Sequence, residues 1–334
     1  MSSGPDLAAI RAAHERIAPH IHRTPVMTCA SLDTMAGARL FFKCENLQKT
    51  GSFKIRGATN AVFSLSEEEA RRGVVAPSSG NHAAALALAA RRRGVPCWIV
   101  MPNNSPLTKR QAVEGYGGQI TLCEPTIPAR EAATRELMER TGAGLIHPYN
   151  NRQVICGQGT AALELLEEVP DLDAVMAPVS GGGLLSGTAI AAKSLRPQVR
   201  VVGAEPINAD DACRSLASGR IESNATANTI ADGLRAQLCE LTFSILRERA
   251  DEIITVSEEE IVAAMRHLWE RMKLVVEPTG ALGAAAALHG PIPVAGARIG
   301  VILSGGNVDF SDVSRWKAFV MHHRTPAKPP PERV

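Results

Sequence analysis

No Cys-x-x-Cys pair occurs in the sequence. Its seven cysteines, Cys29, Cys44, Cys97, Cys123, Cys156, Cys213 and Cys239, are odd in number and widely spaced. This usage argues against a disulfide framework or a zinc site and predicts reduced thiols in a cytoplasmic protein. No apolar run approaches the ~20 residues that a membrane helix needs, and the first residues lack the charged-then-apolar pattern of a signal peptide. A net charge of +2 is too small to indicate a nucleic-acid or membrane-surface partner. The Gly-Lys-Ser/Thr ending of a nucleotide-binding P-loop is also missing. What remains is a 334-residue chain, 45% hydrophobic and 21% charged, which is ordinary for a soluble protein with ample sequence to bury a core. Residues 323–334, rich in proline and charge, read as a disordered tail.

Helical and strand-like segments alternate, which predicts an α/β fold with largely parallel sheets. Helical periodicity spans 6–21, and strands are expected at 39–44, 73–76, 97–101, 119–123, 174–178, 201–204 and 298–303. Ser66 with Glu69, and Ser257 with Glu260, have the spacing of capping boxes that open helices. The expected organisation is two α/β lobes, a discontinuous one (1–66 and 152–322) and a smaller one inserted within it (67–151), with the active site in the cleft between them.

Four segments have residues suited to chemistry. In Lys49-Thr50-Gly51-Ser52-Phe53-Lys54, a lysine lies among apolar residues and glycine where a loop becomes a helix. A desolvated lysine amine forms imines with aldehydes. In Ser180-Gly181-Gly182-Gly183, between a strand and a helix, backbone N–H groups can approach a phosphate. Ser78-Ser79-Gly80-Asn81-His82 is a second strand-to-helix loop, suited to a carboxylate and equally to simple helix capping. Ser304-Gly305-Gly306-Asn307 follows the last strand, where open α/β sheets place ligands.

Taken together with His22-Arg23-Thr24-Pro25, Phe42 to Gln48, Gly157-Gln158-Gly159-Thr160 and Glu205-Pro206, these segments resemble the fold-type II pyridoxal-phosphate (PLP) enzymes. The similarity is to their serine/threonine dehydratase and serine racemase branch, over about 22–316. The resemblance implies a two-lobed, tryptophan-synthase-β-like architecture and a homodimer that acts on a small amino acid. It implies Lys54 as the Schiff-base lysine and base for the α-proton, Phe53 against the cofactor ring and Asn81 on the ring hydroxyl. Ser180, Gly181, Gly182 and Gly183 would cradle the phosphate, and Ser304 would meet the ring nitrogen. Ser78, Ser79, Asn81 and the N–H of His82 would hold the substrate carboxylate. Ser79 resembles the second acid/base of racemases, and Arg130 resembles an arginine that reaches the substrate cleft, suited to a β-carboxylate. Glu205, Ala209 and Asp211 match a divalent-cation site for Mg²⁺, or for Ca²⁺ or Mn²⁺.

The chain departs from this pattern in places. Ser180 stands where the family usually has glycine, and Ala84 and Leu122 replace a glutamine and a tyrosine of the nucleotide effector site in animal serine racemases, so ATP activation is not expected. Ala236 replaces a serine near the cleft, and Tyr149 follows His147-Pro148, which makes the pocket more apolar. No room remains after the last matching segment for the regulatory domain of biosynthetic threonine dehydratases. The expected activity is β-elimination of water and ammonia from L-serine or L-threonine. The alternatives are serine racemisation, dehydration of 3-hydroxyaspartate or phenylserine, and PLP binding without turnover.

Overall fold

Two parallel sheets organise the chain in the computed structural model, which describes residues 5–290, 296–309, 311–314 and 316. The tail expected at 323–334 lies outside the described residues. In chain order the strands are β1 (Val26–Met27), β2 (Arg39–Cys44), β3 (Val74–Pro77), β4 (Cys97–Pro102), β5 (Gln119–Cys123), β6 (Gly144–Leu145), β7 (Ala174–Pro178), β8 (Arg200–Pro206), β9 (Glu252–Val256) and β10 (Arg298–Leu303). One sheet has the order β1-β2-β10-β7-β8-β9 and the other β5-β4-β3-β6. Only the short β1 runs antiparallel, against β2. All residues of β7, and all but the first of β2 and β10, are buried, as expected for strands covered by helices on both faces.

The expected strands all form, with ends shifted by at most two residues. The capping boxes at Ser66 and Ser257 are both made. The first helix is shorter than its periodicity predicts: it covers Leu7–Ile17 and gives way to a 3-10 turn holding Pro19, whose ring cannot continue an α-helix. Sheet edges were the least visible in the sequence, since β1 and β6 are two residues each and β9 lies at the outer edge. None of the seven cysteines is in a disulfide, and among the described residues no helix is long and apolar enough to cross a membrane.

The register matters for function. β10 pairs with β2 at Leu303 opposite Cys44 and with β7 at Val301 opposite Met176. Ser304, Glu45 and the loop after Pro178 therefore emerge from one edge of the sheet, the carboxyl ends of its parallel strands. An antiparallel bridge between Ser52 and Gly305, and a hydrogen bond from the Phe53 N–H to the Ser304 carbonyl (3.0 Å), tie the lysine segment to that edge.

Below Lys54 lies a charge network with no exposure to water. Arg56 donates from Nε and Nη2 to the two Glu45 oxygens (2.7 and 2.8 Å), and from Nη1 and Nη2 to the two Glu164 oxygens (2.8 Å each). Lys43 Nζ donates to Glu164 (2.6 Å) and to the Thr24 carbonyl (2.7 Å). Burial alone would raise the pKa of Glu164, but His14 and Arg56 hold it well below the usual range. The network joins the end of β2 to the helices Lys54–Phe63 and Arg152–Glu168. These helices touch so closely that a Cβ on Gly157 would lie 2.6 Å from the Arg56 carbonyl oxygen. Removing one member of such a network strands charge in the core. Arg56→Leu is expected to cost about 3–5 kcal/mol, read as a lowered midpoint of urea unfolding; a midpoint within error of the parent contradicts this role.

Candidate active site

A cleft of about 890 Å³ opens at the carboxyl ends of both sets of strands. Lys54 occupies the first position of its helix, with Nζ 4.8 Å from the centroid of the Phe53 ring. No hydrogen-bond acceptor meets its Nζ among the described residues. Burial lowers the amine to a pKa of about 8, against an opposing pull from Glu277. The shift raises the share of the amine that is neutral, and nucleophilic, near physiological pH.

Asn81 starts the helix Asn81–Arg93 and enters a chain of side-chain hydrogen bonds. Its Nδ2 donates to Glu277 Oε1 (2.7 Å), and its Oδ1 accepts from Asn307 Nδ2 (2.8 Å), which also donates to the Thr50 carbonyl (2.7 Å). Glu277 is buried and lines the cleft. Burial, with the nearby Asp232, pushes its pKa up to about 8. The carboxyl fits because Gly305 lies beside it: a Cβ there would come within 2.2 Å of Glu277 Oε1.

The glycine loop leads into the helix Gly183–Leu195. Gly182 has φ +86°, and a Cβ on Gly181 would meet the Tyr149 ring at 2.4 Å, so backbone here replaces side chain. Ser180 has its hydroxyl engaged within the chain. Its Oγ accepts from the Ala236 N–H and donates to the Ala236 carbonyl, both at 3.1 Å, which fastens the loop to the Ala236 segment across the cleft. Ser304 is buried, and among the described residues the only hydrogen bond its hydroxyl makes is a long one, 3.4 Å to the Thr279 carbonyl.

Ser78 and Ser79 precede Asn81 on the cleft wall. Ser78 Oγ accepts weakly from the Gly80 N–H (3.4 Å), and Ser79 Oγ makes no hydrogen bond among the described residues. His82 is buried with Nε2 2.9 Å from the Ile146 carbonyl; burial and Lys54 push its pKa down to about 3, so it donates as a neutral ring. Its side chain anchors the helix start, which leaves its backbone N–H as the group to offer a ligand. Arg130, on the helix Ile127–Thr141, also lines the cleft.

Glu205, Ala209 and Asp211 converge at the end of β8 and are all buried. The Glu205 oxygens accept from the Ala212 and Cys213 N–H groups (3.2 and 3.0 Å). Asp211 Oδ2 has no partner. Burial raises Glu205 to about 8 and Asp211 to about 6. Among the described residues no three His, Cys, Asp or Glu side chains gather with metal spacing. The set here is two carboxylates and a backbone, which suits a hard cation completed by water.

Glu277 and His147 were not singled out in the sequence as functional. Glu277 is 196 residues from Asn81 and precedes a proline at a helix start, so it reads as an ordinary first-turn acid. His147 follows β6 in a short loop without a motif.

Residues 17–305 match the family model described as "Pyridoxal-phosphate dependent enzyme". A serine racemase from rice (Oryza sativa subsp. indica) is 51% identical over 309 residues, 91% of each chain. A β-hydroxyaspartate dehydratase from Paracoccus denitrificans is 50% identical over 298 residues, 89% of this chain and 95% of that one. The solved structure of maize serine racemase superposes with a TM-score of 0.91 at 49% identity, covering 96% of this chain and 100% of that one. The residues present fit the cofactor: a buried lysine of lowered pKa for its aldehyde, a side-chain-free cradle at a helix N-terminus for its phosphate, and an underused buried hydroxyl, Ser304, for its ring nitrogen. On its sequence, its fold and the donors gathered in the cleft, the chain belongs to the fold-type II pyridoxal-phosphate dependent enzymes.

Proposed function

We propose that the enzyme removes water from a small β-hydroxy amino acid, such as L-serine or L-threonine, and that hydrolysis of the resulting enamine yields a 2-oxo acid and ammonia. The observation that carries this reading is the Lys54 amine, held to a pKa of about 8 in a cleft that also contains a helix start free to bind a carboxylate. The bound cofactor supplies the electron sink that acidifies the substrate α-carbon. Lys54 Nζ takes the α-proton. The Ser78 and Ser79 hydroxyls and the backbone N–H groups of Asn81 and His82 hold the α-carboxylate. Phe53 would pack on the cofactor ring, Asn81 would meet its hydroxyl and Ser304 its nitrogen, while Ser180, through its backbone, and Gly181, Gly182 and Gly183 would hold the phosphate. The two lobes, 67–151 against 1–66 with 152–322, enclose this cleft, and the family resemblance favours a homodimer.

A second reading, amino-acid racemisation, is favoured by the unpartnered hydroxyl of Ser79 and by the relatives named serine racemase. A substrate panel separates the two. Keto acid and chiral amino acid are assayed together with L-serine, D-serine, L-threonine, 3-hydroxyaspartate and phenylserine. Keto acid without the opposite enantiomer is the expected result. Ser79→Ala is expected to lower racemisation at least tenfold more than elimination; equal loss of both refutes a second acid/base. Bound cofactor without keto acid or enantiomer from any substrate refutes an enzymatic role.

Glu205, the Ala209 carbonyl and Asp211 are proposed to hold a divalent cation, Mg²⁺ or alternatively Ca²⁺ or Mn²⁺, that supports the fold. The reading rests on two buried carboxylates with no cation hydrogen-bonded to either among the described residues, and on the Asp211 Oδ2, unpartnered among them. Chelation by EDTA should lower the melting temperature and added Mg²⁺ should restore it, and Asp211→Asn should abolish the difference. A melting temperature indifferent to EDTA contradicts the site.

A further inference from the structure

A run of three glycines has no side chains with which to hold its own shape. Gly181, Gly182 and Gly183 are nonetheless buried, and neighbouring segments supply the contacts. At Gly182 the neighbours are Leu238 and Thr242; a Cβ there would come within 2.8 Å of either side chain. At Gly181 and Gly183 the neighbour is Tyr149. A Cβ on Gly181 would lie 2.4 Å from Cδ1 and Cε1 of the Tyr149 ring, and one on Gly183 would lie 2.9 Å from the Tyr149 Cβ. Gly181 lacks the positive φ that favours glycine, unlike Gly182 at +86°. The tyrosine ring, not the backbone conformation, therefore excludes a side chain at Gly181.

Tyr149 comes from another part of the fold. It follows β6, an edge strand of the four-stranded sheet, whereas the glycine loop follows β7 in the six-stranded sheet. Contacts on either side of it in the chain fix its placement. The His147 ring packs edge-to-face against the Tyr149 ring, with centroids 4.5 Å apart and planes at 86°. His147 Nδ1 also accepts the backbone N–H of Asn150 (2.9 Å) and, more weakly, that of Tyr149 (3.4 Å). Asn151 then caps the helix Arg152–Glu168, its Oδ1 accepting from the Val154 N–H (3.1 Å). The Tyr149 hydroxyl makes no hydrogen bond among the described residues, so what the residue offers the loop is its half-buried ring.

We propose that Tyr149 is a positioning residue for the cofactor phosphate: its ring braces Gly181 and Gly183, so that the loop presents its backbone N–H groups already ordered. The proposal rests on the reading that the glycine loop takes the phosphate, and it is independent of which amino acid the enzyme turns over. A loop left to order itself on binding loses affinity, about tenfold for the backbone freedom of a single residue. The brace works through the ring, and the hydroxyl is dispensable.

The test uses two readouts that do not depend on turnover: free PLP after ultrafiltration of each holoenzyme, which gives the dissociation constant, and the phosphorus NMR resonance of the bound cofactor. In Tyr149→Leu the dissociation constant should rise about tenfold, and the resonance should move or broaden. Tyr149→Phe should keep the parent's affinity and resonance. Gly181→Ala should weaken binding by itself, because the added methyl meets the ring. Combining it with Tyr149→Ala removes that collision, so the double variant should bind PLP more tightly than the product of the two single losses predicts. Single losses that simply multiply, a Tyr149→Phe as weak as Tyr149→Leu, or a Gly181→Ala with the parent's affinity and resonance would each overturn the brace. Gly182→Ala, strained at its φ of +86° and crowded by Leu238 and Thr242, tests the loop itself. If it weakens PLP binding while Tyr149→Leu does not, the brace alone fails. If Gly182→Ala leaves PLP binding unchanged, the phosphate does not sit on this loop, and both the brace and the reading beneath it fail.

Discussion

The buried Arg56 guanidinium is the constraint on which the site depends. It lies two residues beyond Lys54 on the same helix and is gripped from one side by Glu45, at the end of β2, and from the other by Glu164, on the helix Arg152–Glu168. The position and roll of the lysine helix are set by these planar, two-pronged contacts, which tolerate little displacement. Lys43 balances the second carboxylate, so two cations and two anions are matched below the cleft. The network draws its partners from within, and the Lys54 amine above it is left without an acid in hydrogen-bond contact.

Burial then removes charge from the cleft interior. Lys54 is lowered to about 8, His82 to about 3 and His147 to about 4, while Glu277 is raised to about 8. Each shift has desolvation as its largest cause, and each favours the neutral form. Part of the remaining polarity comes from dipoles, the N-termini of the helices Asn81–Arg93 and Gly183–Leu195, and the rest from charged residues of the lining such as Arg130, Lys109 and Asp232. On the proposed function, the two helix N-termini would take two anionic groups, a phosphate at the glycine loop and an α-carboxylate at Asn81. Ser180 fastens the glycine loop to the segment facing it, through paired hydrogen bonds with the Ala236 backbone.

The features legible in the sequence were those that a local pattern announces. Lys54, Asn81, the glycine loop and Ser304 each sit where a strand or loop passes into a helix or turn, and their residue types suit only a few tasks at such places. Capping boxes at Ser66 and Ser257 marked helix starts for the same reason. The features that escaped notice depend on contacts distant in the chain. Glu277 becomes informative only when folding sets it against Asn81 and Gly305. Lys43 and Glu164, 121 residues apart, read as unremarkable charges until helix and strand bring them together out of water. Two-residue strands such as β6 have too few side chains to show a period, and that is why the loop bearing His147 was not placed. Ser180 was visible as a departure from glycine, but its partner, the backbone of Ala236, has no side-chain signature.

The central claim, that Lys54 is the residue that carries the cofactor, is tested most directly by reducing the holoenzyme with borohydride and mapping the modified peptide by mass spectrometry. The account predicts a single phosphopyridoxyl group on Lys54 in the peptide containing Ser52-Phe53-Lys54. Modification at Lys43, Lys49 or Lys109 instead, or reduction that leaves the cofactor unattached, would contradict it.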